Sequence, residues 1–289
     1  MNKKNQKLSS HLLATPFYLW IAAFILIPLG MVLYYGFTDK TGAFTLENVT
    51  SMAGPEHIKA LLVSIALSVI STIICFLMAY PLAYILSQMK VKSNQYVVFM
   101  FILPMWMNFL LRTLAWQTLI EKTGVINGFL SFFGLPALRI INTNYAIVLG
   151  MVYNYLPFMI LPLYNTLAKI DPSVINAARD LGANGYITFK KIIFPLSIPG
   201  IISGITMVFV PSLTTFVISN ILGGSKILLI GNVIEQEFTV ACNWHLGSGL
   251  SIVLMIFIIF NMVLSMIFDK DGEANALRST SLSKEFTSG

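Results

Sequence analysis

Six long apolar stretches limit what this chain can fold into. Five of them, Pro16–Phe37, Ala60–Gln88, Tyr145–Ala168, Leu196–Leu222 and Leu246–Phe268, carry no Asp, Glu, Lys or Arg. The remaining one, Tyr96–Ile120, carries only Arg112. A run of about 20 apolar residues spans the bilayer core as a helix. Backbone polar groups in hydrocarbon must be paired within the segment, which leaves helices as the answer for separate runs of this length. The expected fold class is therefore an all-α polytopic membrane protein with six transmembrane helices. Composition agrees: 56% of residues are hydrophobic and 10% charged, against about 25% charged in soluble domains.

The expected organisation is a polar tail over 1–15, a transmembrane domain over 16–268 and a charged, Ser-rich, disordered tail over 269–289. The first run is long and lacks a small-residue cleavage site, so it reads as a retained span rather than a signal peptide. The stretches Asp39–Lys59 and Gly223–His245 read as loops. Glu121–Asn144 reads as a partly amphipathic loop along the membrane surface. The net charge of +6 is spread over these connections and tails, which argues against nucleic acid as a partner. Cys75 and Cys242 lie in unlike settings and give no disulfide framework.

Lys and Arg concentrate on the cytoplasmic side of membrane proteins. One side of the six-span arrangement carries Lys3, Lys4, Lys7, Lys90, Lys92, Lys169, Arg179, Lys190, Lys191, Lys270, Arg278 and Lys284. The other carries Lys40, Lys59, Lys122, Arg139 and Lys226. The bias puts both termini, and the loop 169–195, in the cytoplasm.

That loop holds the most distinctive polar stretch, DPSVINAARDLGANGYITFKKIIFP from Asp171 to Pro195. Asp171 can accept a hydrogen bond at a helix start, and Pro172 is tolerated at the first helical position. Gly182 fits the helix stop. Asn184 can cap a second short helix, and Pro195 marks the entry to the next apolar run. Ala177, Ala178 and Gly182 are small enough for another surface to grip the helix closely. From spacing alone, a helix held by a partner and an ordinary connecting loop stand level.

The stretch resembles the coupling motif of ABC importer permeases: E-A-A, three residues, G, nine residues, I-x-L-P. Ala177, Ala178, Gly182, Ile192 and Pro195 occupy motif positions, while Asn176 replaces the Glu and Phe194 the Leu. ILPMWMNFLLRTLAW, GMVYNYLPFMILPLY, IIFPLSIPGIISG and LLIGNVI extend the likeness from about Phe17 to Phe268. They resemble the spermidine/putrescine (PotB-type) permease family. Sister families that carry iron, thiamine or phosphonates share overlapping motifs.

The resemblance implies a type I ABC importer permease fold, with Asn176, Ala177, Ala178, Asp180, Gly182, Ile192 and Pro195 serving ATPase coupling. It implies a PotC-like second permease, a PotA-like ATPase dimer and a PotD-like substrate-binding protein. ATP and Mg would sit on the ATPase. The chain itself has no G-x-x-x-x-G-K-[ST], H-E-x-x-H, C-x-x-C or G-x-S-x-G. It therefore reads as a non-catalytic subunit of a bacterial plasma or inner membrane. An ATP-independent carrier and a non-transporting scaffold are the alternatives from other classes.

Candidate substrate-path residues cluster at three places. Trp106 and Asn108 lie in the third run. Tyr153, Asn154 and Tyr155 lie in the fourth. Ser212, Thr214 and Thr215 follow Pro211 in the fifth, where hydroxyls can satisfy freed carbonyls or line a wet path. Aromatic rings suit a cationic cargo through cation–π contact, and aromatic belts at the interface explain Trp and Tyr equally well. Glu235 and Glu237 could guide a cation inward or simply be solvated. Arg112 either faces the path, snorkels to the outer interface or holds backbone carbonyls inside the bundle. Gly200 and Gly204 form a small-xxx-small pair for close helix packing.

Overall fold

A computed structural model of the chain describes residues 15–89, 100 and 103–287, with side chains as far as residue 267. Regular structure among these residues is helical, apart from one isolated bridge between Thr38 and Phe44. Two compact units result. One comprises residues up to Ile58 with Val233–Phe257, and the other Lys59–Asn232 with the residues from Ile258 onward.

Among the described residues, five helices are long and apolar enough to cross a bilayer. They are α1 (Thr15–Gly36), α2 (Pro55–Gln88), α5 (Asn144–Leu167), α7 (Gly185–Thr214) and the Trp244–Ile267 part of α10 (Trp244–Thr287). Between them lie α3 (Phe109–Ile120), α4 (Val125–Phe132), α6 (Pro172–Asp180), α8 (Val217–Leu222) and α9 (Ile230–Thr239).

Several expectations need correction. The run Tyr96–Ile120 is not one helix over its described part. A 3₁₀ turn at Leu103–Trp106 precedes α3, which starts afresh because the Asn108 side chain accepts from the N–H of Leu110 at 2.8 Å and of Leu111 at 3.3 Å. Tyr96, Lys90 and Lys92 lie outside the described residues, as do Lys3, Lys4 and Lys7. The fifth run is also broken: α7 ends at Thr214, Thr215 is extended, and α8 follows. The segment Gly223–His245 is not all loop, since it contains α9. Helix α10 continues through the expected disordered tail to Thr287.

Prolines act differently from a simple stop. Pro195 does not end the polar loop; it lies inside α7. A proline has no N–H and its ring crowds the carbonyl four residues back. The helix answers with a π turn at Phe189–Ile193, where the Phe194 N–H reaches back to Phe189 O. Pro28 has the same effect in α1: a π turn covers Ala22–Leu26, and the Ile27 N–H bonds Ala22 O.

In the larger unit, α2, α5, α7 and α8 supply one apolar core. Leu67, Ala79, Ala83, Ile147, Met151, Met159, Leu163, Val208, Ile218 and Leu222 are buried in it. Gly200 and Gly204 let α7 lie close on α5. A Cβ at Gly200 would come within 2.6 Å of Thr166 Oγ1 and 2.8 Å of Pro162 O. One at Gly204 would come within 2.6 Å of Met159 Sδ. Much of the outward surface of α2 is apolar (Leu62, Ile70, Ile73, Leu77, Ile85), as lipid or a second membrane chain requires.

In the smaller unit, the loop after α1 is held by polar contacts. Asp39 accepts from Thr41 Oγ1 at 2.6 Å, Thr41 N at 2.8 Å and Ala43 N at 3.0 Å. The Thr41 hydroxyl and these amides hold its carboxyl below the usual carboxylate range. Asn48 Nδ2 donates to Thr38 O at 2.9 Å, and His245 Nδ1 lies 2.7 Å from the same oxygen.

Candidate functional site

The stretch Asp171–Pro195 begins as a capped helix followed by a tight reversal. Asp171 accepts from Ser173 N at 2.8 Å, with Pro172 at the first helical position. That backbone bond holds the Asp171 carboxyl below its ordinary range. At the other end Gly182 has φ +83°. There Gly182 N donates to Arg179 O at 2.9 Å and Ala183 N to Ala178 O at 3.0 Å. Only glycine adopts this backbone without strain. Asn184 then caps α7 through a 2.9 Å bond from Ile187 N.

One face of α6 is turned inward and the rest outward. Ala178 is buried, and Ile175 packs against the core. Asn176, Ala177, Asp180 and Gly182 are exposed. Leu181 is 89% exposed, with Val174, Tyr186 and Ile187 also open. Ile192 is half-buried and Pro195 exposed on α7. An exposed leucine beside a rigidly capped helix, with Arg179, Lys190 and Lys191 in the same loop, offers a knob for another protein.

Aromatic packing fixes this loop to the bundle. Tyr80 of α2 meets Phe189 (5.8 Å between ring centroids) and Phe194 (6.1 Å), and Tyr84 meets Phe189 (6.2 Å). The Tyr80 hydroxyl lies 3.0 Å from Ser197 Oγ, which donates to Phe194 O at 2.8 Å. Sequence reading missed Tyr80 and Ser197. An uncharged run gives no hint of which of its polar residues meet.

A second cluster joins the third and fourth runs. Arg112 is 7% exposed and Asn154 1%. Arg112 Nε donates to Asn154 Oδ1 at 2.7 Å and Nη1 to Pro104 O at 2.8 Å. Asn154 Nδ2 donates to Gly150 O at 2.8 Å. The guanidinium also lies 5.9 Å from the Tyr153 ring, which meets Trp116 edge-on at 5.1 Å. So Arg112 holds a carbonyl and an amide inside the bundle. Asn108 is occupied as a helix cap, and Trp106 is exposed on the 3₁₀ turn.

The third cluster lies at the break after α7. Tyr155 donates to Pro211 O at 3.3 Å, which brings a residue of the fourth run to the fifth. Thr214 Oγ1 donates to Val210 O at 3.2 Å, and Thr215 is buried. Ser212 Oγ is buried without a hydrogen-bond partner among the described residues. The break is tied down by Asn232, which sequence reading also missed. Asn232 Nδ2 donates to Phe216 O at 3.1 Å and Asn220 Oδ1 at 2.8 Å, and its Oδ1 accepts from Leu229 N at 3.1 Å. Gly231 packs so closely that a Cβ would come within 2.6 Å of Thr214 O. The Gly-Asn pair in an apolar segment was the available signal. Glu235 and Glu237 sit on α9 rather than in a loop and are half-buried, with Glu235 accepting from Thr239.

Long apolar helices, a capped polar helix in the loop between two of them and buried polar clusters define a multi-pass helical membrane protein. A solved bacterial ABC transporter for import of the acidic polysaccharide alginate has this fold. It superposes with a TM-score of 0.74 at 18% identity, covering 91% of this chain and 96% of that one. Residues 63–270 match the family described as binding-protein-dependent transport system inner membrane component, and the chain belongs to that family. It is 38% identical to the spermidine/putrescine transport system permease protein PotB of Haemophilus influenzae, over 90% of this chain and 93% of that protein. PotB of Escherichia coli K12 is 37% identical over 82% of this chain and 89% of that protein.

Proposed function

We propose that this chain is one permease of an ATP-driven importer for polyamines such as spermidine and putrescine. The observation that carries the reading is 38% identity, along nine-tenths of the chain, to a protein named for that transport. The proposed complex pairs the chain with a PotC-like permease, a PotA-like ATPase dimer holding ATP and Mg, and a PotD-like binding protein. In this reading the six apolar runs put both termini on one side, and the Lys/Arg bias makes that side the cytoplasm.

In this reading α6 docks on the ATPase. Asn176, Ala177, Ala178, Asp180, Gly182, Ile192 and Pro195 form or support that contact, with Leu181 as its most exposed apolar side chain. Closure of the ATPase pair shifts the bundle between inward-open and outward-open states. ATP must favour one of those states, since equal affinity for both would move nothing. The cargo passes Trp106, Tyr153, Tyr155, Ser212, Thr214 and Thr215, with Glu235 and Glu237 at the entrance. Asn108 and Asn154 support the path, because the structure uses their amides for a cap and for Arg112.

The test is ATP hydrolysis by the reconstituted complex across a panel of solutes. Stimulation by spermidine or putrescine that depends on the binding protein supports the assignment. Stimulation by iron, thiamine or a phosphonate instead moves the cargo to a sister family. Uptake by this chain alone, driven by an ion gradient without ATP, replaces the importer reading with a carrier.

A further inference from the structure

Helix α4 has two unlike sides. Ile126 packs against the apolar core of the larger unit, Asn127 is buried and Leu130 is half-buried. The other side carries Val125, Phe129, Phe132 and Phe133, with Phe132 84% exposed. These positions recur at helical spacing, so they share one face. Phe133 meets Phe129 at 4.9 Å and Phe132 at 5.3 Å, both edge-on, which makes a continuous aromatic patch. Leu135 and Leu138 extend the exposed apolar surface beyond the helix.

The helix is pinned rather than free to turn. Asn127 Nδ2 donates to Glu121 O at 2.9 Å and Leu138 O at 3.0 Å, and its Oδ1 accepts from Leu138 N at 2.7 Å. One side chain thus ties the start and the end of the segment together. Its flanks are anchored in the membrane bundle. Ile120, at the end of α3, is buried, Ile140 and Ile141 pack on the core, and Asn142 N donates to Leu222 O at 2.9 Å. Asn144 then begins the membrane-crossing α5. Only Glu121–Gly124 separate α3 from α4, a reach of at most about 14 Å when fully extended. The patch therefore lies at the level where the bundle leaves the hydrocarbon. Lys122 and Arg139 flank it, exposed, beside the single acid Glu121.

We infer that α4 is an interfacial anchor: its Val125–Phe129–Phe132–Phe133 face lies among lipid chains just below the headgroups, on the membrane side where α5 begins. Lipid is the occupant that the placement favours. The apolar side meets acyl chains, while the two flanking cations suit phosphate headgroups. The anchor would hold the adjoining ends of α3 and α5 at a fixed depth. This inference does not depend on the cargo.

The experiment is spin labelling of the assembled transporter in vesicles of phosphatidylethanolamine and phosphatidylglycerol. Phe132→Cys and, independently, Phe129→Cys are labelled in a chain whose Cys75 and Cys242 are replaced by Ser. Collision with oxygen, which partitions into lipid, is compared with collision with a water-soluble nickel chelate. Oxygen access several-fold above nickel access at both positions is the expected result. Higher nickel access would place the patch in water and overturn the inference. Protection from both reagents would place it under a protein partner and overturn it equally. Variants that retain assembly with the partner subunits are the ones compared, and the two positions give independent readings.

Discussion

Arg112 and Asn154, 42 residues apart in sequence, are joined by a 2.7 Å hydrogen bond from Nε to Oδ1 inside the bundle. Asn154 also donates to Gly150 O, so its orientation is fixed before it meets the guanidinium. Hydrogen bonds to charged groups contribute about 1.5–3 kcal/mol. Asn154→Leu is expected to destabilise the chain by about that amount, because the cation loses an acceptor while staying buried. Arg112→Met removes the charge along with its need for one. The double variant is therefore expected to lose less than the sum of the singles in a thermal-stability cycle. Additive losses would show that the pair does not interact energetically.

Gly182 is expected to separate conformation from contact. Its φ is +83°, and a Cβ there would meet nothing within 4 Å. Gly182→Ala should cost about 1–2 kcal/mol through backbone strain, and Gly182→Asn less. Gly182→Glu adds bulk and charge at the surface proposed to meet the ATPase. It is expected to leave the chain in the membrane while reducing substrate-stimulated ATP hydrolysis and uptake. Wild-type uptake by an assembled Gly182→Glu complex would count against docking through α6.

The break between α7 and α8 rests on one amide. Asn232→Leu leaves Leu229 N without its acceptor and takes a donor from Asn220 Oδ1. Unsatisfied buried groups cost about 1–3 kcal/mol each. A clear fall in thermal stability is expected, measured on detergent-solubilised protein. Gly231→Ala is expected to be damaging for a different reason, since the added carbon would meet the backbone oxygen of Thr214.

The cap of α6 gives a pH dependence with a definite sign. Hydrogen bonding from Ser173 lowers the Asp171 pKa in the folded chain. The cap's contribution is therefore present above the ordinary carboxylate value and is lost as pH falls through the lowered one. Asp171→Asn keeps an acceptor without that titration. Its α6 amide exchange protection is expected to stay level with acidification, where the parent chain loses protection. Equal loss in both would show that other groups govern the loop.

Much of the fold was legible because hydrocarbon imposes simple demands. Uncharged length located α1, α2, α5, α7 and α10, and the Asp-Pro and Gly182 signals located α6. The same apolar background hid the breaks. Nothing in the runs themselves showed that α7 would pass Pro199 and Pro211 and yet end at Thr214, since the amide that secures the break, Asn232, lies beyond the run in sequence. Asn108 Oδ1 serves as a helix cap, a role set by the unpaired N–H groups of Leu110 and Leu111 that the run's hydropathy does not reveal. Asn154 sits among apolar neighbours because Arg112, from another run, donates to it there. Hydropathy reports how much of a helix is apolar, and these contacts depend on direction around its axis.

The aromatic box of Tyr80, Tyr84, Phe189 and Phe194 has a mechanical consequence. Phe189 lies in the π turn of α7, and the two tyrosines belong to α2. A displacement of the polar loop is therefore not confined to a bend at Pro195, because ring contacts hold the chain before that residue and the Tyr80 hydroxyl meets Ser197 beyond it. The load divides at the outset between two separate rods, much as a gear tooth meshing with two wheels turns both. Loosening a single ring there would leave the loop's own helix intact while weakening its hold on α2.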